Sequence, residues 1–373
     1  MIYVVKAGDT LYRIAEEYGT SVNELAYVNQ LWRQNDLVVG QSLLIPENMD
    51  RSGQRDMYVS GYAYPFVQEP VLSESISVLN DLLVFSYGFT FDGDLIPPIT
   101  DDLWMIEFSW NHGVKPILVL TPFAETGAFN NMLVKTVVEN LEVQERLIQN
   151  LVFTVQDRGF AGVDVDFEYI FPEDREGYAA FVGKVREAMA GLGFSTSVAL
   201  VPKTSSDQPG LLYEGMDYAL LGQNADFVFL MTYEWGYTYG PPMAVAPLDK
   251  VRQVVNYALS EIPAEKIVMG IPNYGYDWKL PFEKGVTQAR LIGNVEAVHI
   301  AAENGAQILY NETSQSPFFR YEQYGVEHEV WFEDVRSITE KLNLAKEVNL
   351  RGVGYWNLMR PFRANWVLVG ETF

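Results

Sequence analysis

Eight apolar runs of strand length recur along the chain after Met57, most of them separated by stretches of helical periodicity. They are YVSGYA from residue 58, LLVFSYGF from 82, KPILVLTPF from 115, GFAGVDVDFEYI from 159, FSTSVALVP from 194, DFVFLMTYE from 226, KIVMGIPNYGY from 266 and GVGYWNL from 352. Helical patterns fill 132–158, 173–191, 246–261 and 333–347. A strand followed by a helix returns the chain to the same end of a sheet, so this alternation specifies parallel pairing. Eight such units over residues 57–373 predict an α/β fold of the (β/α)8 TIM-barrel type. A doubly wound open sheet is the alternative, but the Gly-x-Gly-x-x-Gly turn that would follow its first strand in a dinucleotide-binding protein is missing. Residues 276–332 predict a small α+β insertion between the seventh and eighth strands, with a helix near 287–304 and strand-like pieces at AQILYN and HEVWF.

The fourth run contains GVDVDFEYI, residues 162–170, in which three carboxylates alternate with apolar side chains. Strand periodicity puts Asp164, Asp166 and Glu168 on one face, successive members about 6.6–6.8 Å apart, and turns Val163, Val165 and Phe167 toward the helices. The inward row climbs to Glu168 at the C-terminal mouth, where barrels carry their chemistry. No basic residue within the strand offsets the charge. Repulsion and desolvation then raise at least one pKa, and a glutamic acid kept protonated near neutral pH is a general acid.

Residues 3–46 read as a separate βααβ unit. Gly8, Asp9 and Thr10 supply a turn and an N-cap, and Leu11, Ile14, Ala15 and Tyr18 form one helical face. Gly19 ends that helix, Ser21 and Glu24 form a capping box for the next, and Gly40 to Pro46 return as a strand. The polar stretch ENMDRSGQRD, residues 47–56, is expected to be a linker. The chain thus divides at the sequence level into 1–46, 47–56 and 57–373.

Charge narrows the partners. With 49 Asp and Glu against 26 Lys and Arg, the formal charge is −23, which disfavours nucleic acid and anionic membrane surfaces. There is no cysteine, and His112, His299 and His328 are scattered, so neither a metal centre nor another cofactor is expected. The N-terminal MIYVVKAGDTLYRIAEEYGT lacks a basic n-region and an apolar core, so no cleavable signal peptide is expected, and no 18-residue apolar run predicts membrane insertion. Oligomeric state is left open.

Two resemblances sharpen these expectations. YVVKAGDTLYRIAEEYG, Asn29-Gln30-Leu31 and VGQSLLIP, in that order, resemble the LysM module, which implies binding of N-acetylglucosamine-containing glycans such as peptidoglycan or chitin through Gly8, Asp9, Thr10, Leu11 and Leu31. The barrel resembles glycoside hydrolase family 18, whose hallmark is D-x-x-D-x-D-x-E: here Ala161 stands at the first acidic position and Asp164, Asp166 and Glu168 match the others. MTYE at 231–234, GIPNYGY at 270–276, VWFEDVRSI at 330–338 and GYWNL at 354–358 match further family runs.

The family resemblance implies substrate-assisted retaining hydrolysis, an exception to the scheme of two catalytic carboxylates. It assigns Glu168 as acid and base, Asp166 to the substrate acetamide, Asp164 to support of Asp166, Tyr233 to the acetamido oxygen and Trp356 to the floor under the sugar. Glu234, which stands where the family usually has Asp, together with Met231, Tyr87, Asn273 and Tyr276, is expected to line the substrate cleft. A LysM module ahead of such a barrel, with MTYEWGY, PNYGYDW and QSPFFRYE, is similar to spore-cortex-lytic N-acetylglucosaminidases, implying a spore-associated protein that acts on cortex peptidoglycan during germination. A chitinase is the alternative, and a non-catalytic glycan-binding spore protein is a second.

Overall fold

A computed structural model describes residues 1–31, 37–46, 57–124 and 127–373; the expected linker lies outside the described residues. The N-terminal unit has strand β1 (Ile2–Val4), helices α1 (Leu11–Tyr18) and α2 (Val22–Val28), and strand β2 (Ser42–Leu44), with β1 and β2 antiparallel. Thr10 accepts a hydrogen bond from the Arg13 N–H and Ser21 one from Glu24, while Gly19 closes α1 in the left-handed conformation at φ 67°. Leu11, Ile14, Ala15, Leu25, Leu43 and Ile45 form its core.

The remainder begins with β3 (Tyr58–Ala63), α3 (Glu69–Ser75), β4 (Asp81–Phe89), the short β5 (Leu95–Ile96), α4 (Leu103–Asn111) and β6 (Lys115–Leu120). It continues with α5 (Asn131–Glu139), α6 (Leu141–Arg158), β7 (Gly162–Val165), α7 (Arg175–Ala190), β8 (Ser195–Leu200), α8 (Tyr218–Asn224), β9 (Phe227–Leu230), α9 (Leu248–Glu261) and β10 (Ile267–Pro272). The insertion holds β11 (Gly275–Lys279), β12 (Arg290–Ile292), α10 (Asn294–Glu303), β13 (Leu309–Asn311), β14 (Ser316–Gln323) and β15 (Val326–Trp331). The chain ends with α11 (Val335–Glu347), β16 (Gly352–Trp356) and α12 (Arg363–Thr372).

Strands β3, β4, β6, β7, β8, β9, β10 and β16 pair in parallel, and the β3–β4 pairing closes the ring. This is the eight-stranded barrel the apolar runs predict, and both faces of its strands are buried. Three details differ from the sequence expectation. The stretch 132–158 is two helices, because Asn140 adopts extended angles and accepts the Glu142 and Val143 N–H groups to start α6. The insertion is a five-stranded antiparallel sheet in the order β12, β11, β15, β14, β13, larger than the two pieces expected. Its helix is shorter, beginning at Asn294.

The N-terminal unit is seated on the rest of the protein. Val28 and Leu44 join the main core, and Val38 packs in the insertion's core with Ile292, Ile308 and Phe319. Arg363 binds Glu74 at 2.7 Å and the Tyr27 carbonyl at 2.7 Å, and its guanidinium lies 4.0 Å from the Tyr27 ring centre. The Ile308 N–H donates to the Val39 carbonyl at 3.0 Å, and Arg336 to that of Gly40 at 3.1 Å.

Candidate active site

The acid row follows from how β7 is clamped. On its outer face Phe167 stacks between Phe89, Tyr178 and Phe181, with ring centres 5.5–5.8 Å away. With the apolar members fixed there, the alternate residues face inward. The Asp166 N–H continues the strand pairing to the Leu120 carbonyl, and Glu168 follows as the chain leaves the sheet.

Three different environments result. Asp164 is fully buried and accepts hydrogen bonds from the Tyr62 hydroxyl at 2.8 Å and the Ser197 hydroxyl at 2.5 Å. Burial pushes its pKa up to about 6 against the lowering effect of those two donors. Asp166 borders the cavity, and its buried Oδ1 has no hydrogen-bond partner. Burial first, then the charges of Glu168 and Asp164, raise it well above the ordinary carboxylate range. Glu168 is half-buried at the mouth and pushed up to about 7, by burial first and the charge of Glu234 second.

Above the row lies a cavity of about 300 Å³. Asp166, Glu168, Met231, Tyr233, Glu234 and Trp356 line it together with Tyr62, Tyr64, Phe85, Phe123, Phe129 and Tyr213. T-shaped contacts hold the Trp356 ring against Tyr62 at 5.5 Å and Phe85 at 5.0 Å, and the partly buried ring borders the cavity. Glu234 opens to the cleft from a left-handed backbone at φ 68° and accepts hydrogen bonds from Tyr274 at 2.5 Å and Tyr276 at 3.1 Å. An acid poised near neutrality, a buried orphan acceptor and a flat aromatic floor can together bind a sugar, orient an N–H group on it and protonate a leaving oxygen.

Several expected residues serve elsewhere. The register shift in β4 between Val84 and Tyr87 displaces the alternation, and the Tyr87 hydroxyl donates to Asp102 at 2.7 Å, away from the cavity. Asn273 spends its amide on the Asn357 and Arg360 carbonyls, 3.0 Å each, pinning the loop after β16. Tyr276 supports Glu234 from behind the lining. In the N-terminal unit Leu11 is a core residue, 2% exposed. The Asp9 carboxylate accepts from Tyr3 and from the Lys6 N–H, both at 2.7 Å, closing its own turn. Leu31 faces a crevice shared with α10, while Gly8 and Thr10 are exposed. The aromatic lining was missed by sequence reasoning; its signal is that Tyr62 and Phe123 sit near or just beyond the C-terminal ends of barrel strands, while Phe85, in the middle of β4, carries no such signal. Among the described residues no His, Asp and Glu group could hold a metal ion, and no helix is long and apolar enough to cross a membrane.

A closed (β/α)8 barrel with this acid row beneath an aromatic cavity has the parts of a carbohydrate-cleaving enzyme. The chain belongs to glycosyl hydrolases family 18, whose pattern matches residues 123–360, and it carries a LysM domain at residues 3–46. It is a glycoside hydrolase, and modules of these two kinds bind and act on glycans such as peptidoglycan. It is 41% identical, over an alignment 424 positions long, to a cortical fragment-lytic enzyme of Bacillus subtilis (strain 168), covering 100% of this chain and 98% of that protein. It superposes on the spore cortex-lytic enzyme SleL of Bacillus cereus with a TM-score of 0.83 at 38% identity, covering 100% of this chain and 86% of the other. A chitinase from Chromobacterium violaceum aligns at a TM-score of 0.78 and 25% identity, over 85% of this chain and 99% of that one.

Proposed function

We propose that the protein hydrolyses the β-1,4 bond following N-acetylglucosamine in spore-cortex peptidoglycan, by substrate-assisted retaining catalysis, during germination. The observation that carries this reading is the Oδ1 of Asp166, a buried acceptor without a partner, set between a hydrogen-bonded Asp164 and a Glu168 titrating near neutrality. An unpaired buried acceptor is costly, and the N–H of a substrate acetamide satisfies it.

With the acetamide so held, its carbonyl oxygen attacks the anomeric carbon as Glu168 gives its proton to the departing glycosidic oxygen. The cyclic oxazolinium that forms is opened by water, whose proton Glu168 takes back. Asp164 supports Asp166, Tyr233 binds the acetamido oxygen, Trp356 carries the apolar face of the sugar, and Glu234 and Met231 border the sugar-binding space. The sequence similarity to cortex-lytic enzymes supports the cortex as substrate and a spore-associated location. Residues 1–46 anchor the protein on glycan, with Gly8 and Thr10 as the exposed contacts, and residues 57–373 cut it, with 276–332 as the insertion.

The test is product analysis: cortex fragments are digested, reduced with borohydride and read by mass spectrometry beside chitin oligomers. New N-acetylglucosamine reducing ends from cortex are expected. Muramic acid reducing ends overturn the bond assignment, and cleavage of chitin alone makes the protein a chitinase.

A further inference from the structure

The catalytic cavity opens on two sides into arms of opposite chemistry. On one side it shares Tyr64, Phe85 and Phe123 with a groove of about 400 Å³ walled by Phe66, Pro97, Pro98 and Ile99. The Tyr64 and Phe66 rings stack there at 5.1 Å and 29°, and Phe66 and Ile99 are exposed. No charged side chain lies among the described residues of this groove. On the other side the cavity shares Pro202, Tyr213, Tyr233 and Glu234 with a pocket of about 290 Å³ walled by Thr204, Gln208, Lys250 and Gln253.

Lys250 is the one cation among the described residues that line the cavity and its two arms. Its ammonium pairs with the adjacent Asp249 at 4.0 Å, with both side chains well exposed, a pair too loose to neutralise the charge. Beside it, the Oε1 of Gln208 is occupied by the Thr204 N–H at 2.8 Å, which leaves the Gln208 amide as a donor. In a chain of net charge −23, Lys250 is where an anionic group on the substrate meets a cation among the described residues of the cleft, in an arm that Glu234 also lines. A carboxylate placed in the largely apolar arm would meet no cation among its described residues, whereas the C–H faces of an uncharged sugar suit those rings.

We infer that the polar arm receives the peptide-substituted muramyl unit next to the cleaved bond, with Lys250 pairing a stem-peptide carboxylate, and that the apolar arm receives a sugar free of charged substituents. This rests on the peptidoglycan reading above and adds a direction to it: the peptide-bearing side of the strand points toward Lys250. Lys250 acts on substrate selection and takes no part in the bond-making steps.

The test uses the full-length protein and two substrates, a peptide-bearing glycan fragment and the same fragment with its stem-peptide carboxylates converted to amides. For K250A, KM on the carboxylate form is expected to rise about three- to ten-fold with kcat held, while KM on the amide form moves less than about two-fold. K250R is expected to stay near wild type, and 0.5 M salt to shrink the difference between the two forms. An equal change in KM on both substrates, or none on either, overturns the inference while leaving the hydrolase reading standing. A wild type that cleaves neither fragment overturns that reading and the inference with it.

Discussion

At the level of single residues, the proposed cleavage depends on the protonation of Glu168. The acid must carry its proton to cleave, and with its pKa near 7 the value of kcat/KM is expected to fall as pH rises through that region. Glu234 contributes to the elevation through its like charge, so Glu234→Gln moves this basic limb to lower pH; a pH–rate profile with an unmoved limb contradicts the electrostatic role. Glu168→Gln is expected to lower kcat on cortex fragments by about 10³-fold while glycan pull-down persists. The same variant has a stability signature. Because the folded pKa lies above the ordinary 4.5, the native state binds the proton more tightly than the unfolded chain does. No cost exists below about pH 4, where both states are protonated, and the full cost is present above about pH 7. Glu168→Gln is therefore expected to be more stable than wild type at pH 8, by up to about 2 kcal/mol after allowance for its contact with solvent, and equal to it at pH 4. Thermal melts at the two pH values check the sign.

At the scale of elements, the barrel strands were legible because both faces are buried and each reads as an unbroken apolar run, as in LLVFSYGF and KIVMGIP. The inward acid row was legible for the same reason, since period-two alternation needs no tertiary information. Strand β14, SPFFRYEQ, was not, because Pro317 and three exposed polar residues give it the composition of a loop. Tyr87 and Asn273 are expected in the cleft from their place at strand ends; a register shift in β4 and the bond to Asp102 take Tyr87 elsewhere, and the partners of Asn273, Asn357 and Arg360, lie 84 and 87 residues away, beyond what local sequence shows. Asn140 looked like one polar residue within a helical pattern, yet it caps α6 through two N–H groups. Asn140→Ala is expected to cost about 1 kcal/mol in denaturant melts, and an unchanged midpoint would mean the cap contributes nothing.

At the scale of the whole molecule, the LysM domain is part of the body that holds the active site. The loop after β16 links them: it leaves Trp356 at the cavity, is pinned by Asn273 and reaches Arg363, which holds Glu74 and the Tyr27 carbonyl. The two parts are thus expected to melt in one transition. Gly40 is the place to break this, because it sits at φ 85° and a Cβ there would lie 1.8 Å from the Ile308 carbonyl oxygen. Gly40→Val is expected to destabilise the seam by about 2 kcal/mol or more and to split the calorimetric transition in two, and a single unshifted transition contradicts the docking. The nucleophile is proposed to come from the substrate, and changing that nucleophile tests this directly. Cortex fragments carrying N-trifluoroacetyl in place of N-acetyl on the glucosamine at the cut present a weaker carbonyl oxygen of nearly the same shape. A fall in kcat of about 10²-fold or more with KM little changed is the predicted result, and equal kcat on the two substrates would assign the attack to a protein side chain instead.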